Sequence, residues 1–222
     1  MTIKRMIFNI YKPVGWTSFD VVKKIRGITK DKKVGHAGTL DPFAGGVLII
    51  GTNSDTKKLG KISGTIKSYR AVLQLGEGTD TLDLDGKVVN TKPVPILDKD
   101  LIKSVLNHFI GKRKQIPPMY SAKKVNGVRL YKLARKNKTI DRKPVDVNII
   151  DLTLNDIQDK QIDFSVTCSK GTYIRVLGQE IAKKLGTVGH LTQLKGIAVG
   201  DFVVQDSIPL KEFEAKWMST EH

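Results

Sequence analysis

Two apolar patterns, one typical of strands and one of helices, follow each other irregularly along this chain, and their order constrains the fold more than any other feature. Residues 47–51, VLIIG, are a short branched run that ends in glycine, which is typical of a buried strand. Apolar residues alternate with polar ones at 162–168, IDFSVTC, and at 68–75, SYRAVLQL. The two alternating runs predict strands that each have one apolar face.

Helical spacing occurs before the first and after the last of these strands. Residues 17–28 offer Thr17 or Ser18 as an N-cap and place Phe19, Val22 and Ile25 on one face of a helix. A second helix is predicted over 176–186 and is closed by a glycine. Because strands and helices mix without a regular βαβ rhythm, we expect an α+β fold, with a mixed, largely antiparallel central sheet flanked by helices.

The length of 222 residues suits one large domain or two small ones. Because we find no repeat and no linker rich in Pro, Gly or Ser, we expect a single domain over 1–222. Cys168 is the only cysteine, so no internal disulfide can form and a reducing compartment is indicated. The first residues lack the apolar stretch of a signal peptide, and nothing later is long enough to span a bilayer, so we expect a cytoplasmic protein.

The charge balance favours a polyanionic partner. The chain has 38 basic and 22 acidic residues, which leaves a net charge of +16. Nucleic acid is the leading candidate, an acidic membrane surface the second, and a basic surface without a polyanion the third. Residues 112–143 contain twelve basic residues and one acidic residue, with Tyr120 and Tyr131 between them, as RNA-binding surfaces often do.

We therefore interpret 112–143 as a basic RNA-binding insertion, although a solvated helix face followed by a flexible loop would also have this composition. The residues predicted to contact the RNA backbone are Lys12, Lys112, Arg113, Lys114, Lys123 and Lys124.

The glycine-rich segment 35–46, GHAGTLDPFAGG, is not a phosphate-binding loop. Such a loop needs Lys followed by Ser or Thr and then a helix, whereas Gly46 is followed by the predicted strand. The segment 80–86, DTLDLDG, lacks the ligand positions of a calcium loop. The four histidines are scattered and form no metal-binding motif, so we expect neither a metal nor a cofactor.

Asp41 is the carboxylate of the glycine-rich segment 35–46, and it is a candidate for a catalytic role. The following Pro42 disfavours a helical backbone at Asp41, and the surrounding glycines allow a bulky ligand to approach. The carboxylate could act as a nucleophile or a general base, or Asp41 could simply begin a turn. If the backbone stays extended after 168, Tyr173 and Arg175 point to the same side and could hold a carboxylate and a flat base, although a strand end with a surface arginine is the commoner situation.

Five segments in this order resemble the TruB-type tRNA pseudouridine synthases. The segments are KPVGWTSFDVV (12–22), VGHAGTLDPFAGGVL (34–48), KSYRAVLQLGEGTDTLDLDG (67–86), IPPMYSAKKVNGVRLYKLAR (116–135) and CSKGTYIRVLGQEIAKKLG (168–186). The resemblance implies an isomerase that converts a uridine to pseudouridine in the T loop of tRNA, at position 55. It also implies the fold of that family, no cofactor, the T arm of tRNA as partner, and a monomer.

The resemblance assigns a role to six residues. Asp41 becomes the catalytic aspartate, Tyr69 stacks on the target base and assists proton transfer, and Arg175 pairs with Asp41. The residues implied to line the pocket or support the RNA are His36, Tyr173 and Leu194.

The chain departs from the family pattern in two motifs. DPFAGG stands where the family usually has DPLATG, and LKGIAV (194–199) stands where it often has LRR. Many relatives also carry a C-terminal RNA-binding PUA domain, which we do not expect here because the chain ends soon after a predicted last helix. Binding would then depend more on 112–143. A non-catalytic RNA-binding or tRNA-folding module, and a synthase acting on ribosomal or guide-directed RNA, are the alternatives.

Overall fold

The computed structural model describes residues 6–220. The strands are β1 (Ile7–Lys12), β2 (Val34–Ala37), β3 (Gly45–Thr52), β4 (Lys67–Leu75), β5 (Glu77–Thr79), β6 (Val88–Thr91), β7 (Gly111–Gln115), β8 (Lys124–Val125), β9 (Val128–Arg129), β10 (Val145–Gln158), β11 (Gln161–Cys168), β12 (Gly189–Val199), β13 (Phe202–Val203) and β14 (Ile208–Pro209). The helices are α1 (Ser18–Thr29), α2 (Leu59–Ser63), α3 (Lys99–His108), α4 (Leu130–Ala134), α5 (Ile174–Lys184) and α6 (Leu210–Thr220).

The fold is α+β, with a large mixed sheet and flanking helices, as the sequence predicts. The chain divides into two compact units. The first unit runs up to Tyr69 and resumes at Leu194, and the second unit is Arg70–Gln193. The chain therefore leaves the first unit within β4 and returns to it within β12.

In the first unit, the strand order is β14–β1–β3–β12, with β2 paired to β3 and β13 paired to β12. β1 is antiparallel to β3, whereas β1 pairs with β14, and β3 with β12, in parallel. Every residue of β3 is buried, which confirms the prediction of a buried strand at 47–51. Leu48 and Ile50 pack with α1 and α6, and Val47 and Ile49 pack with Leu59 on the other face.

Helix α1 begins at a capping box, in which Thr17 accepts a hydrogen bond from the amide of Asp20 and the Asp20 carboxylate accepts one from the amide of Thr17. Its buried face includes Val21, Val22 and Ile25. The prediction that Phe19 shares this face is wrong, because Phe19 lies in the first turn and is 56% exposed.

In the second unit, β4, β11, β10 and β7 are neighbours in that order. β10 is antiparallel to both β11 and β7. Alternate residues of β11 are buried, and Ala71, Leu73 and Leu75 of β4 are buried too, so the period-two patterns predicted both strands correctly. Helix α3 packs on β10 through its apolar side.

The expectation of an extended backbone through Tyr173 and Arg175 is wrong. Tyr173 is extended, but it is the N-cap of α5, and Arg175 lies in the first turn of that helix. The two-residue repeat of a strand, which would have placed both side chains on one face, therefore does not apply to them.

The basic segment 112–143 contains most of β7, the short hairpin of β8 and β9, and α4. Its hairpin turn consists of Asn126 and Gly127, which both have positive φ, as a tight hairpin turn requires. Within residues 6–220, none of the helices is long and apolar enough to cross a membrane.

Candidate active site

Asp41 opens a tight turn in the first unit. The amide of Ala44 donates to the carbonyl oxygen of Asp41 at 3.1 Å, with Pro42 at the second position of the turn, where proline is favoured. The interpretation of Asp-Pro as a turn therefore holds for the backbone, and it leaves the Asp41 side chain half-buried. The turn defines the position of a carboxylate, which is what a catalytic role also needs.

Two contacts hold this turn, one with the first residue of α1 and one with the segment before that helix. The Ser18 hydroxyl accepts a hydrogen bond from the amide of Leu40 at 3.0 Å and lies 3.3 Å from the Leu40 carbonyl oxygen. The amide of Gly15 donates to the carbonyl of Pro42 at 2.8 Å. Phe43 is only 4% exposed, so one of the two residues that depart from the family motif anchors the turn through burial.

Lys12 lies beneath the turn and is completely buried. Its ammonium group donates to the carbonyl oxygens of Pro13 at 2.9 Å, Trp16 at 2.5 Å and Pro42 at 3.4 Å. Burial lowers the pKa of Lys12 to about 8, although the negative charges of Asp41 and Asp20 partly oppose this shift.

The prediction that Lys12 contacts the RNA backbone does not agree with this position. A side chain with no exposed surface, whose donors are taken up by carbonyl groups, cannot reach a phosphate. Lys12 instead joins the segment 13–16 to the turn that holds Asp41.

His36 lies on β2, and its Nδ1 is hydrogen-bonded to the carbonyl oxygen of Gly38. A carbonyl can only accept, so Nδ1 carries the proton in this contact. This is the contact of a structural histidine, and the ring remains half-exposed. The role of His36 towards RNA stays a prediction.

The two departures from the family motifs are neighbours in the sheet. Gly45 pairs with Lys195, and Gly46 pairs with Gly196. A Cβ atom at Gly46 would clash with the backbone of Gly196, and its φ of +109° also excludes most side chains. The Lys195 ammonium lies 5.9 Å from the centre of the Tyr11 ring, which is a cation–π distance.

Arg175 is a buried cation of the second unit and is 3% exposed. Its guanidinium donates to the carbonyl oxygens of Thr81 at 2.5 Å and Tyr120 at 2.7 Å, and its Nη1 lies 3.3 Å from Asp83 Oδ2. Asp83 is itself buried, and its Oδ1 accepts hydrogen bonds from the Thr81 hydroxyl at 2.5 Å and the Asp85 amide at 3.2 Å. Asp41 belongs to the first unit, so its pairing with Arg175 stays a prediction.

Asp83 and Gln115 are buried polar residues around Arg175 and Tyr173 that the sequence did not reveal. Asp83 lies in DTLDLDG, where the sequence excluded a calcium loop but suggested no other role. Gln115 is buried, and its side-chain amide both accepts from the amide of Tyr173 at 2.8 Å and donates to the carbonyl of Tyr173 at 3.2 Å. It therefore holds the residue that begins α5.

The remaining predicted residues lie in separate units. Tyr69 is half-buried in β4 and Leu194 is buried in β12, both in the first unit. Tyr173 is half-buried in the second unit. Among the residues described, no group of three or more His, Cys, Asp or Glu could hold a metal ion.

The lysines and arginine predicted to contact RNA differ in their surroundings. Lys112, Lys114 and Lys124 are exposed, and Lys123 is partly exposed. Arg113 instead stacks over the Phe109 ring, 4.4 Å from its centre, and donates to the Phe109 carbonyl. Arg113 is thus engaged within its own unit.

Residues 26–174 match the family model described as TruB family pseudouridylate synthase (N terminal domain). The chain is 46% identical over 214 residues to tRNA pseudouridine synthase B of Psychrobacter cryohalolentis, covering 94% of this chain and 60% of that protein. It is 47% identical over 210 residues to tRNA pseudouridine synthase B of Clostridium kluyveri, covering 95% and 72%.

Solved structures share the fold. A chain in the crystal structure of a Cbf5-Nop10-Gar1 complex matches with a TM-score of 0.77 and 25% identity, over 97% of this chain and 55% of that one. A chain in the structure of an H/ACA RNP bound to a substrate RNA containing 2′-deoxyuridine matches with a TM-score of 0.72 and 24% identity, over 97% and 55%.

These matches extend over most of the chain and define its class by fold, which is that of the pseudouridylate synthases. The chain belongs to the TruB family of pseudouridylate synthases. It spans about 60% of the length of the Psychrobacter relative and 55% of the two solved chains.

Proposed function

We propose that this chain isomerises one uridine of tRNA to pseudouridine, at position 55 in the T loop, and that residues 1–222 act together as one catalytic domain. Its membership of the TruB family supports the reaction class. High identity to relatives named tRNA pseudouridine synthase B supports tRNA as the substrate.

The observation that carries the proposal is the supported turn at Asp41. The buried ammonium group of Lys12 donates to the carbonyl of Pro42 in this turn, and the Ser18 hydroxyl accepts from the amide of Leu40, which precedes the turn. Groups that must act on a bound substrate need such preorganisation, because a carboxylate displaced by a fraction of an ångström reacts far more slowly.

The reaction breaks the N1–C1′ bond of uridine, turns the uracil and joins C5 to C1′. It needs neither an electron acceptor nor a group donor. Asp41 either attacks C1′ directly or removes a proton from C2′, and both routes need an ionised carboxylate.

The other roles come from the family resemblance. Tyr69 would stack on the uracil and act, directly or through a water, as the base that receives the C5 proton. Arg175 would pair with Asp41 and favour its ionised form. Tyr173 and Leu194 would line the pocket.

The target uracil must leave its stack in the folded RNA before the enzyme can reach it. Flipping costs a few kcal/mol, and stacking on an aromatic ring returns about 1–3 kcal/mol. Because the two energies are comparable, a further side chain should occupy the vacated space. His36 is our candidate for it.

The basic segment 112–143 would supply the phosphate contacts. Neutralising Lys112, Lys114 and Lys124 should weaken tRNA binding and lower the slope of log K against log salt by about 0.7–0.9 for each lysine–phosphate pair removed. Neutralising Lys57 and Lys61 is the control, since both are exposed in the other unit. An equal fall of the slope in both variants would contradict an interface at 112–143.

The experiment that tests the activity is incubation of the chain with unmodified tRNA, followed by carbodiimide treatment, which leaves a stable adduct on pseudouridine but not on uridine. We expect one adduct, in the T loop. A protein that binds the tRNA and leaves no adduct would instead be an RNA-binding or tRNA-folding module.

A further inference from the structure

A cleft of about 760 Å³ lies within the second unit. Its volume falls in the range of sites that hold small ligands. It is lined by β5, β6, the end of β7, the segment 116–119 and one side of α5. Asp41, Tyr69 and Arg175 are not among its lining residues, so the proposed reaction leaves this cleft without a role.

The walls of the cleft include flat and flexible apolar side chains. Pro117 and Pro118 are buried, and Met119 is partly buried beside them. Val89 and Ile116 also line the cleft, although they are 64% and 51% exposed. Exposed apolar side chains that converge on a concave surface favour a ligand with a flat apolar face.

The charged side chains of the cleft favour an anion. Four cations and two carboxylates line it, which leaves a positive excess of two. Two of the cations, Lys114 and Arg142, belong to the basic segment 112–143. The charged residues are Lys92, Lys114, Arg142, Lys183, Asp80 and Glu180.

The negative charge of the Glu180 carboxylate is only weakly neutralised by its neighbours. The Nη2 atom of Arg113 lies 3.8 Å from its Oε2, at the outer limit of an ion pair. Oε2 receives no hydrogen bond, and the Glu180 side chain is 31% exposed. Burial raises the pKa of this carboxyl group. A carboxylate in this state can gain from hydrogen bonds donated by a ligand, and amino groups of nucleobases are such donors.

We propose that the cleft binds one nucleotide of the RNA substrate, with a base that carries an exocyclic amino group. The base would lie against the Pro117–Met119 wall and donate to Glu180, and its phosphate would contact Lys183 and Lys114. The nucleotide is a second contact, separate from the reacting uridine. The proposal rests on RNA being the partner, as in the proposed function.

Met119 provides a direct probe. The protein is labelled with ¹³C-methyl methionine, and the Met119 signal is assigned by comparison with Met119→Leu. Cytidine 5′-monophosphate and uridine 5′-monophosphate are then titrated separately. Only the cytidine base carries an exocyclic amino group, so we expect the cytidine nucleotide to shift the Met119 signal with an affinity about fivefold higher, the value of one hydrogen bond. Glu180→Gln should bring the two affinities together.

Lys183→Ala should weaken both nucleotides about threefold to fivefold, as the loss of an exposed ion pair does. Lys184→Ala is the matched control, because Lys184 is the next residue of α5, is also exposed and does not line the cleft. Equal effects of the two substitutions would overturn the phosphate contact.

Unmodified tRNA is titrated last. We expect it to shift the Met119 signal and to displace the cytidine nucleotide. A response to mononucleotides without a response to tRNA would make the cleft a site for free nucleotides and overturn the RNA assignment. If neither the mononucleotides nor tRNA shift the Met119 signal, the cleft is not a nucleotide site. A cleft that is filled by a protein segment would give this result. Pseudouridine formation is measured separately, so its absence with an intact Met119 response would count against the reaction alone.

Discussion

Replacing Lys12 by methionine removes the buried ammonium group while keeping most of the side-chain volume. In the folded protein the pKa of Lys12 is lowered from 10.5 to about 8 by burial. Between these two pH values the unfolded chain binds more protons at this site than the folded protein does. The wild-type free energy of unfolding therefore gains from Lys12 as the pH rises from 8 to 10.5, and is lowest from this source below pH 8.

The size of this gain follows from the shift. Each pKa unit corresponds to about 1.4 kcal/mol. The titration of Lys12 between pH 7 and pH 10 therefore changes the free energy of unfolding by about 1–2.5 kcal/mol. Lys12→Met lacks the titrating group. We thus expect the difference in unfolding free energy, wild type minus Lys12→Met, to grow by this amount over the same interval.

Urea denaturation of both proteins at pH 7, 8, 9 and 10 measures the difference directly. Lys24→Met is the control, because Lys24 forms a half-exposed ion pair with Glu214 and should shift stability by less than about 1 kcal/mol at each pH. A wild-type minus Lys12→Met difference that stays constant across this range would refute the buried-ammonium reasoning.

Three further substitutions test single contacts within the two units, each by urea denaturation. Asp83→Asn removes the carboxylate facing buried Arg175 and should destabilise the second unit by about 3 kcal/mol, whereas a loss below about 1 kcal/mol would mean that the pair is not buried in solution. Gly46→Ala should cost more than Gly127→Ala, because both glycines have positive φ but only Gly46 would also meet backbone; equal losses of about 1 kcal/mol would contradict the close approach. Thr17→Ala removes the capping box of α1 and should cost about 1 kcal/mol, and no loss would contradict the cap.

The strands β3, β4 and β11 were predictable because each follows a local rule. Burial of β3 on both faces and of alternate residues on β11 can be inferred from a few consecutive side chains, since a strand repeats every two residues. The capping box at Thr17 is local in the same way.

The contacts of the buried polar residues in each unit were not predictable, because their partners are distant in sequence. Arg175 meets Asp83, 92 positions earlier, and nothing in DTLDLDG indicates a buried cation nearby. The sequence around Lys12 does not distinguish it from a surface lysine, because its partner, the carbonyl of Pro42, is 30 positions away. The early start of α5 was also missed, because Gln115, which holds the backbone of Tyr173, comes from β7.

The family resemblance assigned roles that the local patterns left open. From the residues alone, Asp41 was a turn former or a catalytic carboxylate. The structure shows the turn, and the catalytic role of Asp41 stays a prediction from the family resemblance.

Conversion of unmodified tRNA by Asp41→Asn, measured beside its affinity for the same tRNA, tests the central claim most directly. The amide keeps the size of the side chain and loses its negative charge, so the substitution separates binding from chemistry. We expect an unchanged Kd and no pseudouridine. Pseudouridine formed at the wild-type rate would contradict the claim.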